Sequence, residues 1–412
     1  MSDSNDVAVH APRPSTARFA KRKDAVLAAA IEALNADGFK GMTLQGVAAR
    51  LGLTTTSVTY YFRKKDLLAV ECFQHGLRRF EAMVEAAAEA PDLGGRLHKL
   101  LGLHLDLQAR ARQGLEPPMT IFSDIRALAE PHRAEVGTAY HGMFRKVRSL
   151  FHAPGYEDLG ALGATARTHI LLEQLFWSAA WLPRYDIEDF PRLHERMFDI
   201  LAYGLAAPGQ AFEPRPVEVA PRQKDPALET FLRAATPLIN ERSYRGVSVS
   251  DIAARLNLTK GSFYHHMDAK DDVVVACFDR TFEAIRATQL AVQALPIEQW
   301  RALSSAVSAL VVRQLTENGV LLRMSALQAL PEPLRSNIVW RADRVSQRFG
   351  SMVADGIAEG SIRSVDPFLA AQMVSAAINA AADLLAWRED LPPNAFVGLY
   401  AKPALMGLLI RL

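Results

Sequence analysis

Apolar residues first recur at helical spacing between Arg18 and Asn35, where Val26, Leu27, Ala30, Ile31 and Leu34 share one face. Asp37-Gly38 is expected to stop that helix, because glycine tolerates the left-handed geometry of a helix end. Thr43 can cap a second helix over Leu44–Leu51, and Gly52 sits at a tight turn. A third helix is predicted to start at Thr54 or Thr55 and end near Arg63. Asp66 then opens a long helix to about Ala90, with Pro91 just beyond it. The same plan returns later. Leu228–Asn240 matches the first helix, with Pro237 an oddity inside it, and Ser248 caps Val249–Leu256. Asn257 takes the turn position and Thr259 opens the next helix. Asparagine is the ordinary residue most tolerant of the left-handed region, so the exchange with Gly52 keeps the backbone chemistry.

The segments 92–207 and 296–412 read as helices throughout, with Ala/Leu-rich stretches at Ala164–Leu182 and Phe368–Trp387. Asp366-Pro367 opens one of these, and Pro183 or Arg388-Glu-Asp closes each. Val/Ile-rich alternating runs bounded by turns are missing, so the expected class is all-α.

A shift of 205 positions lays Gly41–Phe73 on Gly246–Phe278 without a gap. Ala48/Ala253, Arg50/Arg255, Leu51/Leu256, Thr54/Thr259, Ser57/Ser262, Lys65/Lys270 and Cys72/Cys277 are among the identical pairs. Solenoid units run about 20 to 50 residues, so this is a pair of subunit-sized units in one chain. Between them, Pro208–Asp225 is rich in proline and mixed charge, as in a semi-extended linker. Fully stretched it spans about 60 Å at roughly 3.3 Å per residue, enough to join neighbouring subunits.

The chain has 412 residues, half of them hydrophobic, and a net charge of only +2, so any basic surface must be local. Residues 17–67 carry nine Lys/Arg against four acids, whereas residues 222–272 carry eight against seven. Cys72 and Cys277 lie in apolar runs and are expected to be small core residues in a reducing cytosol. The polar, acidic start lacks the pattern of a signal peptide, and no apolar run reaches the roughly 18 residues of a spanning helix. A cytoplasmic protein with no membrane association is expected. No nucleophile–base pattern, phosphate loop or cofactor motif is present, which argues against an enzyme. His265-His266 has no partner at ligand spacing, and His98, His104, His141, His169 and His194 read as core or surface residues rather than metal ligands.

The exposed start of the third helix, Thr54-Thr-Thr-Ser57 in one unit and Thr259-Lys-Gly-Ser262 in the other, offers short hydroxyls and free backbone N–H groups. Such groups suit phosphate and base-edge contacts. Tyr60, Tyr61 and Tyr264 serve equally well as packing or as DNA contacts, and Arg63-Lys64-Lys65 as a solvated turn or a phosphate clamp.

The stretch Thr43–Leu68, with its TLQGVAARLGLTTTSVTYYFRKKDLL pattern, resembles the DNA-binding region of TetR-family transcriptional regulators, and so does Ser248–Asp272. The resemblance implies two tandem units, each a three-helix helix-turn-helix domain followed by a larger helical effector and dimerisation domain. The expected division is a flexible basic arm (1–17), then 18–67, 68–207, the linker 208–225, then 226–272 and 273–412. The implied partners are double-stranded DNA and an unidentified small-molecule effector.

Expected DNA contacts are Thr43, Gln45, Thr54, Thr55, Thr56, Ser57, Thr59, Tyr60, Tyr61 and Lys65 in the first unit. In the second they are Ser248, Ser250, Thr259, Lys260, Gly261, Ser262, Tyr264, His265, His266 and Lys270. Met267 stands where the family often has an aromatic, the place held by Phe62 in the first unit. Phe122, Tyr140, His169, Phe176, Trp177 and Trp181 are candidates to line an effector pocket, with Met324, Trp340, Met373 and Trp387 in the second unit. A stripe of such residues is more often plain core.

The last two helices of each half, near 164–183 with 192–206 and 367–387 with 395–411, are expected to form the family's dimer contact inside one chain. That makes a single-chain pseudo-dimer, with a homodimer of the tandem chain as the alternative. Its two recognition helices differ, so its operator is expected to be non-palindromic, and repression is the expected mode. The rival reading is a ligand-sensing or adaptor protein in which one or both DNA-binding domains have decayed.

Overall fold

The computed structural model describes residues 14–217, 219, 226–242, 247–255, 270–316, 319–330, 332–386 and 391–410. The first unit runs through α1 (Pro14–Gly41), α2 (Leu44–Arg50), α3 (Thr55–Tyr61), α4 (Lys65–Ala88) and α5 (Leu93–Arg112). A 3-10 turn (Phe122–Ala127) leads to α6 (His132–Ser149), α7 (Gly160–Trp181) and α8 (Phe190–Tyr203). The second unit has α9 (Pro226–Arg242), α10 (Val249–Arg255), α11 (Lys270–Gln293) and α12 (Gln299–Gln314). Its own 3-10 turn (Met324–Ala329) precedes α13 (Glu332–Glu359), α14 (Pro367–Ala380), a second 3-10 segment (Ala381–Ala386), a π turn (Val397–Ala401) and α15 (Lys402–Met406). The fold is all-α and tandem. Among the described residues the one β feature is an isolated bridge between Ala206 and Ile362.

Side-chain caps and glycines set several of the boundaries. Asp366 accepts from the backbone N–H groups of Phe368 (3.0 Å) and Leu369 (3.2 Å), which starts α14 where Asp-Pro predicts it. Gly38, with φ 66° and ψ 171°, breaks the regular helix inside α1. Pro237 lies within α9, yet the helix runs through it and buries Leu238 and Ile239 on its far side.

Three expectations need correction. The first helix starts at Pro14 rather than Arg18, since proline fits the first helical position and nothing in Ser15–Ala17 opposes helix. The stretch expected to be one helix to Trp387 leaves α geometry after Ala380, and Trp387 itself lies outside the described residues. The expected closing helix over 395–411 is helical only over 395–406, through a π turn into the short α15. Pro403 cannot donate the i→i−4 bond, and Gly407, at φ 94°, ends the helix.

One continuous apolar cluster runs through both halves, joining Leu171 and Leu175 of α7 to Leu303 and Val307 of α12 and Leu369 and Val374 of α14. A smaller separate cluster, including Phe231, Leu232, Val274 and Phe278, holds the start of the second unit. The halves meet along α7 and α14, with α8 and α15 beside them. Gln174 donates to the Met373 carbonyl at 2.9 Å, and Trp177 to Gln372 Oε1 at 3.2 Å. The buried Arg167 donates to the carbonyls of Leu408 and Ile410. Arg363 pairs with Asp199, and Arg196 with Asp366, both at 2.7 Å.

At the ends of α8 and α15 the two backbones touch. Leu205 N–H donates to Leu405 O, and Leu408 N–H to Leu201 O, both at 2.8 Å. Gly204 (φ 70°, ψ −159°) and Gly407 (φ 94°, ψ 153°) hold equivalent places in a region open essentially to glycine. A β-carbon on Gly407 would lie 2.3 Å from Ala202 O, and one on Gly204 2.3 Å from Leu405 O. Gly407→Ala is therefore expected to lower unfolding stability by at least about 2 kcal/mol. Urea denaturation followed by circular dichroism checks this, and an unchanged midpoint would contradict the crossing.

Candidate nucleic-acid interface

The first unit builds a helix-turn-helix from short-range bonds. Thr43 Oγ1 accepts from Gly46 N at 2.9 Å and starts α2. Gly52, at φ 63°, makes the turn, and Leu53 N–H returns to Ala48 O at 2.9 Å. Thr54 caps α3 by accepting from Ser57 N, and its hydroxyl lies 3.0 Å from Ser57 Oγ. Val47, Ala48 and Val58 are buried between the helices, and the small Ala48 lets them approach. Thr43, Gln45, Thr54, Thr55, Thr56 and Tyr60 are exposed, while Ser57, Thr59, Tyr61 and Lys65 are half-buried. The Thr59 hydroxyl already donates to Thr56 O at 3.0 Å. Its methyl and lone pairs remain for a partner.

Two contacts were not foreseen. Phe19 of α1 packs on both Tyr60 (5.9 Å between ring centres) and Tyr61 (5.0 Å), so the rings are at once packed and, for Tyr60, 73% exposed. This places the basic start of α1, with exposed Arg18, Lys21 and Arg22, beside the end of α3. The Lys65 ammonium donates to the carbonyls of Phe39 (3.0 Å) and Lys40 (3.4 Å) and sits 4.6 Å from the Phe39 ring centre. It caps the end of α1, where carbonyls lack helical partners. Arg63 and Lys64 are exposed next to it.

In the second unit Ser248 and Asp251 form a reciprocal capping box. Ser248 N–H donates to Asp251 Oδ2 at 2.7 Å and Asp251 N–H to Ser248 Oγ at 3.1 Å. Ser250 is exposed. Thr259, Lys260, Gly261, Ser262, Tyr264, His265 and His266, with Met267, lie outside the described residues, as does the Lys270 side chain.

In each unit an asparagine ties the first helix to the chain entering the 3-10 turn. Asn35 donates to Met119 O (2.8 Å) and accepts from Ile121 N (3.0 Å). Asn240 does the same with Leu321 O (2.9 Å) and Arg323 N (3.0 Å). Both bonds run to the strand of chain entering the 3-10 turn. Arg126 then crosses to the other half, donating to Asn240 O at 2.6 Å. The sequence signal was available, since Asn35 and Asn240 are 205 positions apart, the repeat shift itself.

The expected effector-pocket residues divide. Phe122, Tyr140 and Phe176 come together with Phe80, at ring distances of 5.6–5.9 Å. His169 instead bonds the Ala380 carbonyl of the other half at 3.0 Å, and burial pushes its pKa down to about 4. Trp177 also faces the other half, through Gln372, and Trp181 is core packed against Tyr185. Beside them Glu173 is half-buried, its carboxyl raised by desolvation against the pull of Arg323, and Asn379 donates to it at 2.6 Å. In the second unit Trp340 is 57% exposed under Arg344, and Met373 is buried in the interface. Burial raises the thiols of Cys72 and Cys277 to about 12, which leaves them as inert core residues.

The model for bacterial regulatory proteins of the tetR family matches twice, at residues 26–72 and 231–277. A model for a tetracyclin repressor-like C-terminal domain matches residues 293–383. The TetC protein of transposon Tn10 from Escherichia coli is 32% identical over 59 residues, which are 14% of this chain. The chain spans 30% of that protein's length. Among solved structures, the TetR-family regulator PfmR from Thermus thermophilus is 22% identical with a TM-score of 0.34, covering 44% of this chain and 99% of its own. FadR from Bacillus subtilis, solved with stearoyl-CoA, is 18% identical with a TM-score of 0.36, covering 43% and 97%.

Asn35→Ala leaves the Met119 carbonyl and the Ile121 N–H without their partner. The expected loss is about 1–3 kcal/mol, read by urea denaturation, and a stability within 0.3 kcal/mol (about the error of such comparisons) would contradict the tie.

Proposed function

This chain belongs to the TetR family of bacterial regulatory proteins, carrying two family units in tandem, and from that premise we propose a ligand-responsive transcriptional regulator that works as a single-chain pseudo-dimer. The observation that supports this reading most is the clasp of the two halves, α7 on α14 with the glycine crossing beside it. A covalently joined pair needs no second chain to present two recognition helices to major grooves roughly 34–36 Å apart. Within the first unit, Thr55, Thr56 and Tyr60 read base edges, with Gln45, Thr59 and Tyr61 beside them. Thr43, Thr54 and Ser57 hold the helix ends against the phosphates. Arg63 and Lys64, joined by the basic start of α1, neutralise phosphate, and Lys65 supports them from its place against α1.

The second unit reads a different half-site through Lys260, Gly261 and Tyr264, with Ser248, Ser250, Thr259, Ser262, His265, His266 and Lys270 nearer the backbone. The operator is then non-palindromic, and occupancy of a promoter makes repression the natural outcome. A small-molecule effector acts through the aromatic group of Phe80, Phe122, Tyr140 and Phe176. That group touches the 3-10 turn that Asn35 holds, so a ligand moving the turn moves α1 and the recognition helix with it.

The charge balance favours one secondary reading. Residues 17–67 carry nine bases and four acids, and residues 222–272 eight and seven. Phosphate neutralisation drives DNA affinity, so the first unit binds more strongly and the second contributes mainly spacing and selectivity.

The test is duplex binding against salt, on DNA located by footprinting beside the chain's own gene. Arg63→Ala with Lys64→Ala is expected to weaken all duplexes alike and to lower the log–log salt slope by about 2, close to one unit per contact. Thr55→Ala is expected to weaken operator binding by about ten-fold while leaving random DNA unchanged. A salt slope that the double change leaves intact, or no salt-dependent binding at all, would reject the reading.

A further inference from the structure

His98 of α5 and His194 and Glu195 of α8 stand 96 positions apart and bring three ligand atoms within 4.8 Å of one another. His98 Nε2 lies 3.0 Å from Glu195 Oε1, and His194 Nδ1 lies 3.7 Å from the same oxygen. We propose that these three side chains form a binding site for a zinc-like divalent transition metal, bridging α5 and α8 of the first unit.

The donor set is two imidazoles and one carboxylate, which suits zinc with water in the open position. A tetrahedral zinc about 2.0–2.1 Å from each ligand sets neighbouring ligand atoms roughly 3.3 Å apart. The two measured separations bracket that value, and His98, 39% exposed, can turn to close the third.

The surroundings hold the imidazoles in the required form. His194 Nε2 bonds the His98 carbonyl at 2.9 Å. A carbonyl accepts only from N–H, so Nε2 carries the proton and Nδ1 presents its lone pair toward Glu195. This is the outer-shell bond that metal-binding histidines typically make. Gly102 leaves the space for the ring, since a β-carbon there would lie 2.9 Å from His194 Cε1. Phe198 packs edge-on to His98 at 4.8 Å, and the two imidazoles lie 4.1 Å apart. A metal at His98 Nε2 takes the place of the 3.0 Å contact with Glu195 Oε1, and the neutral ring then carries its proton on Nδ1.

The site is asymmetric. The second unit's closing segment Val397–Met406 and its helix α12 contain no His, Cys, Asp or Glu. Among the described residues this is therefore one site, in the first unit. The same α8 carries Arg196 and Asp199, which pair with Asp366 and Arg363 of the other half. A metal that fixes α8 on α5 therefore fixes one wall of the clasp.

The experiment is titration of the untagged full chain with zinc chloride by calorimetry, with Co2+ absorption spectra as a geometric readout. One equivalent is expected to bind, to raise the thermal midpoint, and with Co2+ to give the intense visible bands of a four-coordinate site. Glu195→Gln, at a side chain 66% exposed, is expected to keep the fold and weaken binding about ten-fold or more. His98→Ala is expected to weaken it further, while His141→Ala, at an exposed histidine elsewhere, leaves it unchanged. Absence of binding at millimolar zinc, or an affinity unmoved by both Glu195→Gln and His98→Ala, would overturn the site. The thermal midpoints of the metal-free variants separate loss of ligands from loss of fold.

Discussion

Two helix ends cross here at hydrogen-bonding distance because no β-carbon stands between them, and that constraint governs this molecule. At Gly204 and Gly407 the chain ends a helix in a backbone region that other residues avoid, and there each half lies against the other's main chain. The exchanged bonds Leu205–Leu405 and Leu408–Leu201 fix the relative position of the halves as strictly as strand pairing would. Around them Arg167, Gln174 and Trp177 reach across to backbone and side-chain oxygens of the second unit. The apolar core then runs through both effector halves without a break. Neither half is a finished object alone, since removing one would expose Leu171 and Leu175, or Leu369 and Val374, on the half that remains.

This clasp gives the rest of the structure its leverage. Asn35 and Asn240 tie the first helix of each unit to the chain entering a 3-10 turn, and Arg126 runs from the first unit's turn to the helix held by the other. The first unit's turn is thereby bonded to the first helix of both units. Because the tether guarantees pairing, the halves are released from being identical. The difference in local charge between residues 17–67 and 222–272 is one that a symmetric homodimer would impose on both halves.

What the sequence made legible was local. Gly38, Gly52, Thr43, Ser248 and Asp366 act on neighbours within a few residues, so capping and turn chemistry places them correctly. The apolar stripe through Val26, Ile31 and Leu34 and the repeat itself were equally readable, and together they led to the fold class. Long-range partners were not. His169 and Trp177 look like pocket residues by composition, but their partners lie about 200 positions away, in the other half. Lys65 occupies a phosphate-clamp position in pattern, while its ammonium sits on the carbonyls ending α1. His98 and His194 read as scattered core or surface residues in the sequence, and the packing of α5 on α8 brings them together. The shortened α15 follows from Pro403 and Gly407, both visible in the sequence, whose effect on hydrogen-bond register had to be seen in three dimensions.

The central claim is that a single chain supplies both halves of the clasp, and light scattering after gel filtration tests it most directly. The account predicts one chain, 45.3 kDa, in free solution and one chain per duplex when operator DNA is added. A stable mass of two chains, free or on the duplex, would contradict it by placing the pairing between molecules.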